Sequence, residues 1–351
     1  MSRRTVCGPI LAGIFALFAA GPLDAQTQAL AENVPEIPMQ AVEGFFKLPA
    51  GYYFGEGIGI ATNSQGHIYV YHRSGDTRLF EFDGDGNFVR ELGQGLYGLE
   101  MAHKVRVDDE DNIWVVDEGA NMVIKFNPEG RVVMVIGRRP EPTPPGGNTQ
   151  VPPTDNTGPD HKYLLARPTD VTWDQDGNIF ISDGYFNHRV VKYSPDGIYM
   201  GQAGSGQSGN GPDQFSTPHT IASDAQGNIY VGDRGNRRVK VYDSNLNLLR
   251  MYENVGNPWE ICISRGEHQY LFVSNSNPDS NPAASWDITG EVYKMELDGT
   301  IIGRFGEAGK EPGQFQTIHG LDCRNPNELY TAEISAWRAQ KILLADRPVS
   351  Q

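Results

Sequence analysis

Three histidines lie at the same point of a repeated segment, and their chemistry is that of metal ligation. The repeat is carried by VVDEGANMVIKFNPEG (115–130), ISDGYFNHRVVKYSPDG (181–197) and VGDRGNRRVKVYDSN (231–245). About a dozen residues upstream of each, a strand begins, in AHKVRVDDEDNIWVVD, PTDVTWDQDGNIFISD and PHTIASDAQGNIYVGD. Aligned on the shared turn, an acidic residue followed by GN or DN and then Ile, His103 and His219 fall in register. IHGLDCRNPNELYTAE adds His319. If the repeats close into a ring, three imidazoles point at one axis. Three neutral nitrogens with a fourth position open form the ligand set of a catalytic metal ion.

The elements that must position these residues are short strands. Strand starts recur near Gly57, His103, Thr169, His219, Trp259 and His319, which makes six units of about forty to sixty-six residues. Within each, β-branched and aromatic residues alternate with polar ones, and DGDGN, DQDGN, SPDG and ELDGT mark turns. Helical periodicity is nearly absent. Even spacing with this period predicts an all-β chain, a six-bladed β-propeller with about four strands per blade around a channel. Either QKILLADRP (340–348) or GFFKLPAGYY (44–53) is expected to complete a blade shared by the two ends. Two insertions interrupt the spacing, 138–163, rich in Pro, Gly and Thr, and 275–287, which carries Trp286. Both are expected on one face of the ring, as a lid over the channel or as plain solvated loops.

The first 25 residues read as a secretory signal. Arg3 and Arg4 give the basic end, Ile10 to Ala20 the apolar run, and Leu23-Asp24-Ala25 a cleavage site. That run is shorter than the roughly 20 residues a spanning helix needs. The expectation is an exported, periplasmic or secreted protein with an N-terminal extension over 26–43 and the propeller over 44–351. A net charge of −15 argues against a nucleic-acid partner, which needs clustered Lys and Arg. No membrane partner is expected, and nothing argues for an oligomer, so a monomer is the expectation. After cleavage Cys262 and Cys323 remain. Their offset puts them on opposite faces of their sheets, so they either face each other across neighbouring blades or point apart.

The units resemble the NHL repeat, and the likeness goes further. VYHRSGD (70–76), MAHKVRVD (101–108), ARPTDVTW (166–173), ISDGYFNHRV (181–190), QFSTPHTIAS (214–223) and VGDRGNRRVK (231–240) resemble the lyase domain of the peptidylglycine α-amidating enzymes. That domain, peptidyl-α-hydroxyglycine α-amidating lyase, is a six-bladed propeller, and the likeness covers roughly residues 44–345. The resemblance implies a zinc ion held by His103, His219 and His319, a general base at Tyr185, and two arginines beside it, Arg73 and Arg234. Departures are visible too. The family has an Asp after its last zinc histidine that helps bind a structural calcium. Here that residue is Gly320, and Asp322 lies about 7 Å further along an extended strand, which puts calcium in doubt. Animal members carry cysteines beside the tyrosine and around the second arginine, where this chain has Phe186 and no cysteine. No copper-dependent hydroxylating domain is attached, so a hydroxylated substrate is expected from elsewhere.

The reaction implied is cleavage of a carbinolamide, R–CO–NH–CH(OH)–COO⁻, into an amide and glyoxylate, on a peptide or a small N-acylated molecule. A phenol has a pKa of about 10, and two guanidinium groups with a metal are expected to favour phenolate at Tyr185. The arginines can also clamp a carboxylate. Arg73 and Arg234 directly follow His72 and Asp233 at second-strand ends, and Tyr185 comes one residue later in its own unit. Asp117, Asp183 and Asp233 are expected to bond turn amides, and His67, His161, His188 and His268 to lie at the surface. Two other readings stand beside this one: a different reaction on the same three histidines with iron or another divalent metal, and a binding propeller without catalysis.

Overall fold

The computed structural model describes residues 34–96, 98–138, 162–276 and 290–345. The insertions 138–163 and 275–287, the signal segment, His161 and Trp286 lie wholly or largely outside these residues. Six four-stranded antiparallel sheets follow one another along the chain. Their innermost strands are Glu56–Thr62, Ala102–Val107, Asp170–Trp173, Pro218–Ser223, Pro258–Ile263 and Ile318–Asn325, and they pack on one another around an axis. These sheets are blades 1 to 6 of a β-propeller.

The packing explains the pattern of the second strands. A blade is covered by a neighbour on each face, so its middle strands are apolar on both sides, as in IWVVD (Ile113–Asp117) and IFISD (Ile179–Asp183), every residue of which is buried. Outer strands lose this cover, and Val132, Val133 and Val135 are exposed. The core is accordingly six separate clusters, one per blade interface. Tyr71, Val105 and Val115 lie between blades 1 and 2, and Phe80, Tyr330 and Ala332 between blades 6 and 1.

The ring closes on the chain start. Met39–Ala41 pairs antiparallel with Arg338–Leu344, Met39 opposite Leu344 and Ala41 opposite Ile342, and forms the outer strand of blade 6. Of the two candidate segments, 340–348 thus contributes the third strand of that blade. The partner is neither candidate: it comes from residues 39–41, upstream of the residue 44 where the propeller was expected to begin. Residues 44–53 instead pack Phe45, Phe46, Leu48 and Tyr52 over blade 1. Cys262 and Cys323 form a disulfide between the inner strands of blades 5 and 6, the facing arrangement of the two left open.

One position per blade holds the loop before the inner strand. His72, Asp117, Asp183, Asp233, Asn275 and Glu333 accept the backbone N–H of Gly55, Met101, Ala166, Ser216, Asn257 and Gln316. The three aspartates therefore do what the repeat implies, and the other blades do the same with imidazole, amide or a longer carboxylate.

Candidate active site

In five inner strands the ladder slips by one residue at the same end. The slips lie between Gly57 and Gly59, Ala102 and Lys104, Pro218 and Thr220, Pro258 and Glu260, and Ile318 and Gly320. The residues passed over are Ile58, His103, His219, Trp259 and His319, while in blade 3 Thr169 precedes the strand. A bulge of this kind re-aims a side chain, here toward the axis. The in-register residue of blade 1 is thus Ile58, one beyond the expected Gly57. The histidines come from blades 2, 4 and 6, alternate members of the ring. Their ring centroids form a nearly equilateral triangle with sides of 4.8, 4.7 and 4.8 Å.

Each imidazole is tied to the blade that follows. Nδ1 of His103 lies 2.5 Å from the Thr169 carbonyl, that of His219 2.7 Å from Trp259, and that of His319 2.8 Å from Ile58. A carbonyl only accepts, so Nδ1 carries the proton and Nε2 keeps a free lone pair. Burial, the largest influence on all three, pushes their pKa values well down. They are neutral, which is the ligand form. The ligand atoms lie within 4.8 Å of one another. The three buried histidines could bind a metal ion, and neutral nitrogens oriented by carbonyls suit a divalent transition ion such as zinc.

Tyr185 enters over Thr169, the small residue of blade 3. Its hydroxyl lies 3.2 Å from Nε2 of His103 and 3.3 Å from Nε2 of His219. Gly184 makes this approach possible: a Cβ there would stand 1.9 Å from the Pro218 carbonyl oxygen. With that extra residue Tyr185 takes the same backbone bond as Arg234 in blade 4, its N–H reaching the Arg167 carbonyl as that of Arg234 reaches Thr217. Burial pushes the phenol pKa above its ordinary range. Arg234 pulls it down, Glu118 pushes it up, and Arg167 and Arg73 pull it down again. The guanidinium groups each favour phenolate, as expected, but without the charge of a metal desolvation outweighs them.

The two expected arginines differ. Arg234 packs against Tyr185 and Trp259, its guanidinium carbon 5.6 and 4.2 Å from the two ring centres. Among the described residues no carboxylate pairs with it. Arg73 is engaged by Glu56 at 2.6 Å, Glu118 at 3.0 Å and the Ala102 carbonyl at 3.1 Å. Burial works against its charge, and these carboxylates more than reverse the effect.

Three neighbours were not singled out from the sequence. Arg167 packs on the Tyr185 ring at 4.5 Å and pairs with Glu118 at 3.1 Å. Glu118 therefore joins two guanidinium groups. Trp259 packs against His219 and His319, with centroids 5.2 and 5.8 Å apart. The signals were present: Trp259 stands in register with the histidines, and Glu118 follows Asp117 as Arg234 follows Asp233. Of the remaining histidines, His268 is exposed, while His67 and His188 are half-buried rather than at the open surface.

Just below the histidines lie Lys104, Arg106, Asp170 and Glu260. Lys104 bonds Glu260 and the His319 carbonyl. Arg106 takes Asp170 with two nitrogens and also reaches Glu260. Calcium does not fit here. Gly320 brings no side-chain oxygen, Asp322 is committed to Thr62 and the Arg324 backbone, and an ammonium group occupies the His319 carbonyl.

Fold and site together define a six-bladed NHL-type propeller with a three-histidine centre on its axis. The NHL repeat family model matches residues 215–242. A Caenorhabditis elegans protein named as a peptidyl-α-hydroxyglycine α-amidating lyase is 29% identical over 273 residues, covering 69% of this chain and 73% of that protein. NHL repeat-containing protein 3 of Mus musculus is 30% identical over 318 residues, covering 83% of this chain and 80% of that protein. The virginiamycin B lyase of Staphylococcus aureus shares the fold, with a TM-score of 0.58, 12% identity, and coverage of 88% of this chain and 100% of that one. The chain belongs to the family of NHL-repeat propellers that includes NHL repeat-containing protein 3 and the amidating lyases.

Proposed function

We propose that the protein is a metal-dependent carbon–nitrogen lyase that cleaves an α-hydroxyglycine-type carbinolamide to an amide and glyoxylate. One observation carries this reading: a tyrosine hydroxyl stands within hydrogen-bond distance of two of the three histidine nitrogens that could hold a metal. The names of several relatives support it. His103, His219 and His319 would hold the ion, with zinc as the first choice and iron or another divalent metal as alternatives. A bound ion supplies Lewis acidity and positive charge, which make a nearby hydroxyl and phenol stronger acids.

The chain's own groups do the rest. Tyr185, as phenolate, takes the proton of the carbinol hydroxyl. The oxygen's electrons form the new carbonyl of glyoxylate while the C–N bond breaks toward nitrogen. Tyr185 then returns the proton to the amide nitrogen, so no proton is lost or gained overall. Arg234, free of carboxylates, holds the substrate's carboxylate beside the phenol.

The test is glyoxylate release from α-hydroxyhippurate by mature protein, before and after chelation and with zinc restored. Chelator-sensitive release that zinc restores supports the reading. No release from protein holding one metal per chain would assign the site to another reaction. Absence of metal would favour a binding propeller, the reading that NHL repeat-containing protein 3, named for no reaction, keeps open. We further propose export to the periplasm or medium, which the interblade disulfide supports. N-terminal sequencing of the mature protein checks it, with cleavage after Ala25 expected.

A further inference from the structure

Four buried polar atoms around Tyr185 and Arg234 have no hydrogen-bond partner among the described residues: Nη1 of Arg234, Nε of Arg167, Nε1 of Trp259 and Oε2 of Glu118. The first three are N–H donors, contributed by blades 4, 3 and 5. Buried donors without acceptors are rare in folded proteins, because each has given up water and received nothing. Of the three, two belong to guanidinium groups packed on the Tyr185 ring and the third to the indole packed on Arg234, and together they point to an acceptor brought by a ligand.

Charge narrows the ligand. Arg73, Arg167 and Arg234 face two carboxylates, Glu56 and Glu118, and both of these are taken up by Arg73 and Arg167. One positive charge, that of Arg234, is left over, which a monoanion would balance. Geometry narrows it further. Guanidinium N–H groups match the planar pair of oxygens of a carboxylate, and the Trp259 ring that carries the third donor packs its face on the Arg234 guanidinium at 4.2 Å.

Arg167 is held in place at some conformational cost. It has φ 55, a left-handed backbone that non-glycine residues seldom adopt. Asn121 Oδ1 accepts its N–H at 2.7 Å, and the N–H of Tyr185 donates to its carbonyl. Strain of this sort persists where surrounding structure over-determines it, and it gathers at ligand sites.

We propose that Trp259 and Arg167 are specificity-determining residues that complete, with Arg234, a three-donor seat for the free carboxylate of the substrate. Arg73 is not part of the seat; it anchors Glu118 beneath it. The seat rests on the lyase reading of the site for its substrate, and it excludes esters and amides of the same compound.

Hippurate tests the seat without turnover, since it has the carboxylate and acyl amide but no carbinol hydroxyl. Calorimetric titration of the metal-loaded protein is expected to show hippurate binding, with uncharged hippuramide at least about tenfold weaker. Trp259→Phe is expected to weaken hippurate several-fold and Arg167→Gln about tenfold, with Arg167→Lys recovering part of the loss. Metal content and melting temperature, measured on each variant, identify any that fails to fold, and Arg167→Gln stands in should Trp259→Phe do so. Hippurate binding unchanged in both variants, hippuramide binding as tightly as hippurate, or no hippurate binding at all would overturn the seat. Binding in the expected pattern without glyoxylate release from α-hydroxyhippurate would leave the seat standing and remove the lyase. Release with KM unchanged in both variants would do the reverse.

Discussion

Two layers of the channel, one below the histidines and one around Tyr185, treat charge in opposite ways. In the lower layer Lys104, Arg106, Asp170 and Glu260 find partners within the protein, and Thr220 and the Ile221 N–H complete the carboxylates. In the upper layer Arg167, Arg234, Trp259 and Glu118 each keep an atom without one. The lower set stands on the inner strands, whereas Glu118, Arg167 and Arg234 stand in turns and loops just beyond strand ends, with only Trp259 on an inner strand. The distinction is that the lower set answers itself, two cations against two anions, whereas the upper set has a cation left over. A charge network closed on itself serves the fold; one left open serves a ligand.

Substitutions can break this contrast. The largest effect is expected in the upper layer. Tyr185→Phe should lower glyoxylate release by about 10²–10⁴-fold, the range of a general base, with stability and metal content close to wild type. Activity within a few-fold of wild type would remove its role. In the lower layer the effect should fall on stability instead. Glu260→Ala leaves Lys104 and Arg106 without a common anion and should cost about 3–5 kcal/mol in urea unfolding. A loss below about 1 kcal/mol would show that the closed network is not what holds the layer. Replacing Cys262 and Cys323 by Ala should cost about 2–4 kcal/mol yet leave hippurate affinity unchanged, because the bridge joins inner strands below both layers. A changed affinity would mean that the layers are coupled.

The smallest effect concerns pH. Where blades 2 to 4 cap their loop with aspartate, blade 1 uses His72, which accepts the Gly55 N–H at 3.2 Å. Burial first, and Arg78 second, bring its pKa down to about 4. An unfolded imidazole titrates near 6.5, so between 6.5 and 4 the unfolded chain holds a proton that the folded chain lacks. The stability His72 contributes is therefore complete above pH 6.5 and lost as pH falls through that window, by about 2 kcal/mol at pH 4.5. His72→Asn keeps an acceptor and should flatten this part of the profile. Urea midpoints that fall equally in both proteins would assign the acid sensitivity elsewhere.

Much of the ring was legible because the repeat is local: the Asp-to-Asn turn fixes the inner hairpins of blades 2, 3 and 4, and with them the register of His103 and His219, to which the blade 6 hairpin adds His319. What escaped was not local. Met39–Ala41 carries no pattern of its own, since an outer strand is held by backbone bonds that any sequence can make. Glu118 and Arg167 become site residues only by pairing across blades. The pairing of Arg73 escaped for the same reason: Glu56 on the inner strand of blade 1 and Glu118 past the second strand of blade 2 claim its guanidinium, and no motif records it. The lowered acidity of Tyr185 also depends on a burial that spacing does not encode.

The outer strand of blade 6 has a consequence in time. Residues 39–41 are among the first of the propeller to be made, and their partner, 338–344, among the last. The ring cannot shut during synthesis, and His319 of blade 6 joins His103 and His219 only near its end. Any metal that the three histidines hold would thereby be captured after chain completion, in whichever compartment the finished chain folds. A chain truncated before Arg338 would lose its clasp and, with it, the third ligand's fixed place.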